Sequence, residues 1–198
     1  MSNSLSAQHI STNLANYEAA RSGFFSLIVN DINNIISAAY TGDPNTATNS
    51  DKIGKKAQEI LKLNVISAPV PHFKVNTLSY KRGNDTINFA GTPEFNSGTI
   101  VVDDVVGLDT KSILMAWQGL TYNVHTRKGG RMKDYKKNCT LVEYDQAFEQ
   151  IRSWTLYGCF ITELTEDDFN KESDGKRQIK ATIIYDRAVM NLDNKVEG

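Results

Sequence analysis

The sequence predicts a mainly β (α+β) chain, an antiparallel β-sandwich or barrel with one flanking α-helix, and three observations carry that expectation. In the last third, Trp154, Leu156 and Phe160 share one face of a first run, and Ile179, Ala181, Ile183 and Tyr185 share one face of a second. That period of two is the pattern of half-buried strands. From Ile60 onward, short β-type runs alternate with turn residues in the rhythm of an antiparallel sandwich. One segment, 109–118, switches to helical spacing.

Taken in order, Ser4 to Arg21 places Ile10, Leu14 and Tyr17 at helical spacing, with Ser4 able to cap it and Gly23 to stop it. Residues 1–23 are therefore expected to form a helix, or an arm that orders against a neighbour. Phe24 to Asn30 reads as a strand, Thr41 to Asp51 as a polar loop and Asp51 to Gln58 as a short helix. Strands are expected over Ile60–Ile66, His72–Tyr80, Thr86–Ala90 and Gly98–Val102. Gly83-Asn84-Asp85 supplies a tight hairpin turn, because glycine and asparagine accept positive φ cheaply. Pro69 and Pro71 cannot donate to a ladder and belong on an edge or in a connection.

Asp109 can cap the helical segment, which carries Ile113, Leu114 and Trp117 on one face and can end at Gly119. That stripe should lie on the sheet. Leu120, Tyr122 and Val124 then alternate with Thr121, Asn123 and His125, the spacing of another strand. The organisation that follows is an arm (1–23), a single β domain (24–190) and a short tail (191–198).

A chain of 198 residues is long enough to bury about 70% of its unfolded surface in one domain, or at most two. Its net charge of −1 supplies no global field to hold nucleic acid or an anionic membrane. Cys139 and Cys159 match neither a CxxC redox pair nor a four-ligand zinc framework and read as two buried, reduced thiols. Met1 to Gln8 lacks the basic and apolar regions of a signal peptide, and the run Phe24–Val29 is too short to span a bilayer. A soluble, cytoplasmic protein without membrane contact is expected.

Chemistry has few carriers. His9, His72 and His125 are scattered, with no Cys, His or carboxylate at ligand spacing, and read as ordinary strand or surface residues. No GxSxG, HExxH or Walker pattern occurs, and Lys128-Gly129-Gly130-Arg131 lacks the strand-to-helix context of a phosphate loop. The acidic stretch Glu163 to Asp174 offers oxygen ligands, yet the sixth position counted from Asp168 is Ser173 where a calcium loop needs glycine. A solvated hairpin loop is expected, with no catalytic, cofactor or metal site.

Arg127 to Lys137 carries Arg127, Lys128, Arg131, Lys133, Lys136 and Lys137 against the single acid Asp134. Such a loop serves as a solvated surface, a nucleic-acid patch or a docking site for an acidic surface. Because the chain also owns an acidic loop, complementarity between subunits is the expectation, with Arg127, Lys128, Arg131 and Lys133 facing Glu166, Asp167 and Asp168 of a neighbour.

In sequence order, Ala20-Arg21 leads into Phe24-Phe25, followed by Ala90-Gly91, Thr99 to Val102, the helix ending near Trp117, Tyr122, the glycine-basic loop to Tyr135, Val142 to Asp145, Trp154 with Gly158, and Ile179 to Asp186. This series covers most of the chain and resembles the tail tube proteins of contractile-tailed bacteriophages, which are similar in fold to the type VI secretion tube protein. Against that family, residues 32–58 look like an insertion, and Cys159-Phe160-Ile161 stands where members often have a proline. The resemblance implies a non-enzymatic virion protein, assembled in the host cytoplasm, whose hexameric rings stack into a tube. DNA would pass through its lumen without specific binding during genome ejection. The implied partners are further copies of the chain, a contractile sheath, the baseplate hub and a tape measure protein. The related alternatives are the tube of a protein-delivering injection or type VI system and a baseplate or tube-initiator adaptor.

Overall fold

The computed structural model describes residues 22–33, 57–105, 110–167 and 175–191. Residues 1–21 of the expected 1–23 arm, the loop over 41–51, most of the 32–58 insertion and of the 51–58 helix, the cap at Asp109, Asp168 and all but residue 191 of the expected 191–198 tail lie outside them. The framework is one antiparallel sheet. Its strands are β1 (Phe25–Val29), β2 (Val65–Ser67), β5 (Gly98–Asp103), β8 (Lys137–Tyr144), β9 (Gln150–Glu166), β10 (Gln178–Ile184) and β11 (Arg187–Asn191), in the order β1-β8-β9-β10-β5-β2 with β11 also on β9.

β9 holds the sheet together because its 17 residues span two sets of partners. Its first half pairs with β8, while its other edge faces β11 and then β10, which run on in one register: Arg187 opposes Tyr157 and Ile184 opposes Phe160. The inward side chains of all these strands meet in one cluster that includes Leu27, Val29, Ile100, Val102, Leu141, Leu156, Ile161, Ile179, Ala181 and Ile183. Helix α2 (Thr110–Gly119) buries Ile113, Leu114, Ala116 and Trp117 against that cluster. The expected stripe therefore lies on the sheet, and the helix ends at Gly119.

Alternation in β9 does not run through as the sequence suggested. Leu156 points inward, but beyond it Cys159 and Ile161 are the buried residues and Phe160 turns outward, its ring 5.4 Å from Tyr135. The cause is a bulge. Cys139 opposes Leu156 whereas Lys137 opposes Cys159, so β9 holds one extra residue there, and one residue exchanges the faces of a strand. Gly158 takes φ +70° at that point, a conformation glycine adopts without strain.

Residues 57–64 are helical (α1), where a strand was expected from Ile60. Ala57, Ile60, Leu61 and Asn64 all turn inward, at the i, i+3, i+4, i+7 spacing of a helix face. The alternation of Leu61, Leu63 and Val65 with Lys62 and Asn64 concealed it, and Leu63 is 78% exposed. β2 begins only at Val65. The helix also finishes the edge of β1. The Gln58 side-chain amide accepts from Val29 N–H at 3.1 Å and donates to the Leu27 carbonyl at 3.4 Å, pairing backbone groups that an edge strand would leave bare.

Candidate self-association surface

Among the described residues, two long strands pair only with each other. β3 (Phe73–Arg82) and β4 (Asp85–Phe95) form a two-stranded sheet whose turn, Gly83-Asn84, has Gly83 at φ +66°. The predicted hairpin is present and runs further than expected, to Phe95. Its register sets Leu78 opposite Phe89 and Tyr80 opposite Ile87, while Thr77 opposes Ala90, Ser79 opposes Asn88 and Lys81 opposes Thr86. Cross-strand partners share a face, and successive residues alternate faces. The outer hairpin thus has one polar face, closed by the Ser79 hydroxyl donating to Asn88 at 2.7 Å, and one apolar face.

That apolar face is bare. Leu78, Tyr80, Ile87 and Phe89 are 63, 62, 43 and 56% exposed. A two-stranded hairpin is at best marginally stable alone in water, and large exposed apolar patches mark interaction sites. Among the described residues it is held at its root: the rings of Phe73 and Phe95 lie 5.8 Å apart, Phe95 lies 6.2 Å from Tyr185, and the Asn96 and His72 side chains meet at 2.7 Å. Sequence reading placed the strands but missed the surface; the signal was the apolar set Leu78, Tyr80, Ile87 and Phe89 equidistant from the turn.

The basic loop is more structured than expected. Tyr122–Asn123 (β6) and Lys128–Gly129 (β7) form a small exposed hairpin, so the expected strand over 120–125 shrinks to two residues. Arg127 closes its turn at φ +55°, and Arg131 leads into α3 (Met132–Tyr135), which carries Lys133. Trp117 Nε1 donates to the Tyr135 carbonyl at 3.1 Å and ties α3 to the core. Arg127, Lys128, Arg131 and Lys133 are all exposed, and among the described residues none of them enters an ion pair. Lys136 is different: its ammonium grips Asp186 at 2.6 Å.

The acidic residues expected to reach a neighbour are engaged within the subunit. Glu166 pairs with Lys111 at 2.8 Å and with Arg177, which also approaches Asp104 at 3.8 Å. Asp167 lies 3.5 Å from Lys180 and accepts from the Gln178 N–H at 3.3 Å. The structure thus brings Glu166 and Asp167 to one end of β9 and does not join them to the basic loop. Among the described residues no group of three or more His, Cys, Asp or Glu could hold a metal ion, and no helix is long and apolar enough to cross a membrane. Cys139 and Cys159 are free and buried in the core. A hydrogen bond with Cys159 and burial push the Cys139 thiol well above its usual range.

The framework is therefore an antiparallel β fold with helices on its flank and one two-faced hairpin standing clear of it. No protein-family model matches the chain, and no curated protein matches it. Solved structures do. A chain of the sheath/tube terminator of the extracellular contractile injection system PVC, in its extended state, superposes with a TM-score of 0.59 at 17% identity over 88% of this chain and 97% of that one. A chain of the PVC sheath-tube complex gives 0.56 at 15% identity over 91% and 97%. A chain of the six-fold symmetrised baseplate of the anti-feeding prophage gives 0.50 at 10% over 65% and 78%. The chain shares its fold with chains of the terminator and sheath-tube assemblies of an extracellular contractile injection system; a tube-like fold was expected from the sequence, where the resemblance named was to phage tail tubes.

Proposed function

We propose that this chain is a structural subunit that assembles with its own copies into six-membered rings, stacked as the tube of a contractile machine. The observation that carries this reading is the β3–β4 hairpin, which holds Leu78, Tyr80, Ile87 and Phe89 in water on one face. A projecting apolar hairpin on one subunit and its receiving surface on the next make a heterologous contact, and such contacts close into rings or extend into filaments.

The reading has two forms. The phage form, expected from the sequence, conducts DNA during ejection, and the chain's net charge of −1 suits a conduit that must not bind phosphates tightly. The injection form delivers protein, and it is supported by the near-full coverage of chains from an extracellular contractile injection system. In either form the partners are a surrounding sheath and a baseplate that nucleates the first ring, and the subunit resides in the assembled particle. Negative-stain microscopy of the purified protein tests the common core of the proposal. Six-fold rings or hollow tubes are expected; a protein that stays monomeric at high concentration and with baseplate components present overturns it.

A further inference from the structure

Between β1, β8, β9 and the connection that follows β2 lies an open pocket of about 460 Å³. Phe24, Phe25, Ile66, Val70, Leu141 and Trp154 line it, and Ile66 and Val70 are 43 and 61% exposed. Beside it the ring of Phe148, 71% exposed, stands edge-on to Phe24 at 5.5 Å. Phe148 holds φ +61°, a left-handed conformation that strains a bulky residue, and strain of this kind concentrates at functional positions. Its turn is closed by the Asp145 carboxylate, which accepts from the Glu149 N–H at 2.8 Å. The lining acid Glu143 is met by Arg152 at 3.5 Å, whereas Asp145 and Glu149 enter no ion pair among the described residues.

We propose, on the strength of the self-assembly reading, that this pocket receives the apolar face of the β3–β4 hairpin from a second copy of the chain. Apolar character matches on the two sides: Leu78, Tyr80, Ile87 and Phe89 are bare on the hairpin, and Ile66, Val70 and Phe148 are bare at the pocket. Charge matches as well. The hairpin tip carries exposed Lys81 and Arg82 against the single acid Asp85, and the pocket's rim carries Asp145 and Glu149. Trp154 supplies continuity, because it also lines a smaller pocket of about 340 Å³ with Phe73, Phe95 and Met190. Phe73 and Phe95 are the root of the subunit's own hairpin, so the receiving surface adjoins the base of the projecting one. Each subunit then gives and receives through one continuous apolar patch, and a contact repeated in that way is heterologous, the kind that closes a ring.

Complementation between two damaged full-length chains tests the proposal. Ile66→Asp/Val70→Asp blocks the pocket and leaves the hairpin, and Phe89→Asp blocks the hairpin and leaves the pocket; all three side chains are exposed, and melting temperatures equal to the wild type verify folding. In sedimentation velocity the wild type should form ring-sized species and each variant alone should stay monomeric. Their equimolar mixture should form a 1:1 heterodimer and nothing larger, since one intact hairpin and one intact pocket remain. A pocket variant that assembles as the wild type does, or a mixture that stays monomeric, overturns the contact while the self-assembly reading stands; a monomeric wild type overturns both. The occupant is identified by photocrosslinking from benzoylphenylalanine in place of Val70, in a mixture of isotope-labelled and unlabelled chains. Crosslinks to residues 73–95 of the other label are expected. Crosslinks to residues 1–21, or to a hairpin of the same label only, overturn the proposal in favour of the chain's own arm or its own hairpin.

Discussion

The Asp186 carboxylate lies over Gly158, where a Cβ would overlap it, and Lys136 holds it there at 2.6 and 2.8 Å. The backbone N–H of Asp186 also donates to the Tyr157 carbonyl at 2.9 Å. The bulge in β9 and the break between β10 and β11 therefore interlock. Gly158→Ala meets both a positive φ of +70° and this overlap, so it should destabilise the fold by about 2 kcal/mol or more. Calorimetry should show the melting temperature falling by roughly 4–8 °C. An unchanged transition would mean that the bulge relaxes freely.

The amide of Gln58 acts as a substitute strand on β1. Gln58→Leu keeps the size of the side chain but leaves the Val29 N–H and the Leu27 carbonyl without that partner, at about 1 kcal/mol each. Hydrogen exchange at the Val29 amide should quicken by about tenfold while β10 amides change little. Equal exchange in the two proteins would remove Gln58 from the account of the β1 edge.

The buried thiols give a pH dependence with a definite sign. Folded Cys139 holds its proton above its ordinary range, because Cys159 bonds to it and because it is buried. Below about pH 8.5 folded and unfolded chains both keep that proton; above it the unfolded chain releases it first, so stability falls as pH rises. Urea denaturation between about pH 7 and pH 10 should show a loss approaching 1.4 kcal/mol per pH unit at most, reduced in Cys139→Ala. A slope that is the same in both proteins would contradict this assignment.

Much of this fold was legible because burial there follows one period. β1, β5 and β10 alternate cleanly, and α2 shows one apolar stripe, so residue type alone located them. Two elements were hidden by competing periods. α1 reads as alternating from Ile60 onward, although Ala57, Ile60, Leu61 and Asn64 mark a helix face. In β9 a single glycine shifts the phase, and nothing local distinguishes a bulge glycine from one in a turn. The charges of the candidate site were visible, but their pairing was not. Lys111, Arg177 and Lys180 reach Glu166 and Asp167 only through the folded sheet, and sequence separation does not encode that.

The central claim is that the apolar face of the β3–β4 hairpin drives self-assembly. Covering the exposed halves of Leu78, Tyr80, Ile87 and Phe89 would contribute on the order of 4 kcal/mol per contact, enough to decide whether rings form. Leu78→Asp and Phe89→Asp act on side chains that the isolated subunit already leaves in water, so neither should lower its melting temperature. The direct measurement is sedimentation velocity of the wild-type chain beside these two variants. The account predicts ring-sized and larger species for the wild type and folded monomers for both variants; variants that assemble as the wild type does would contradict it.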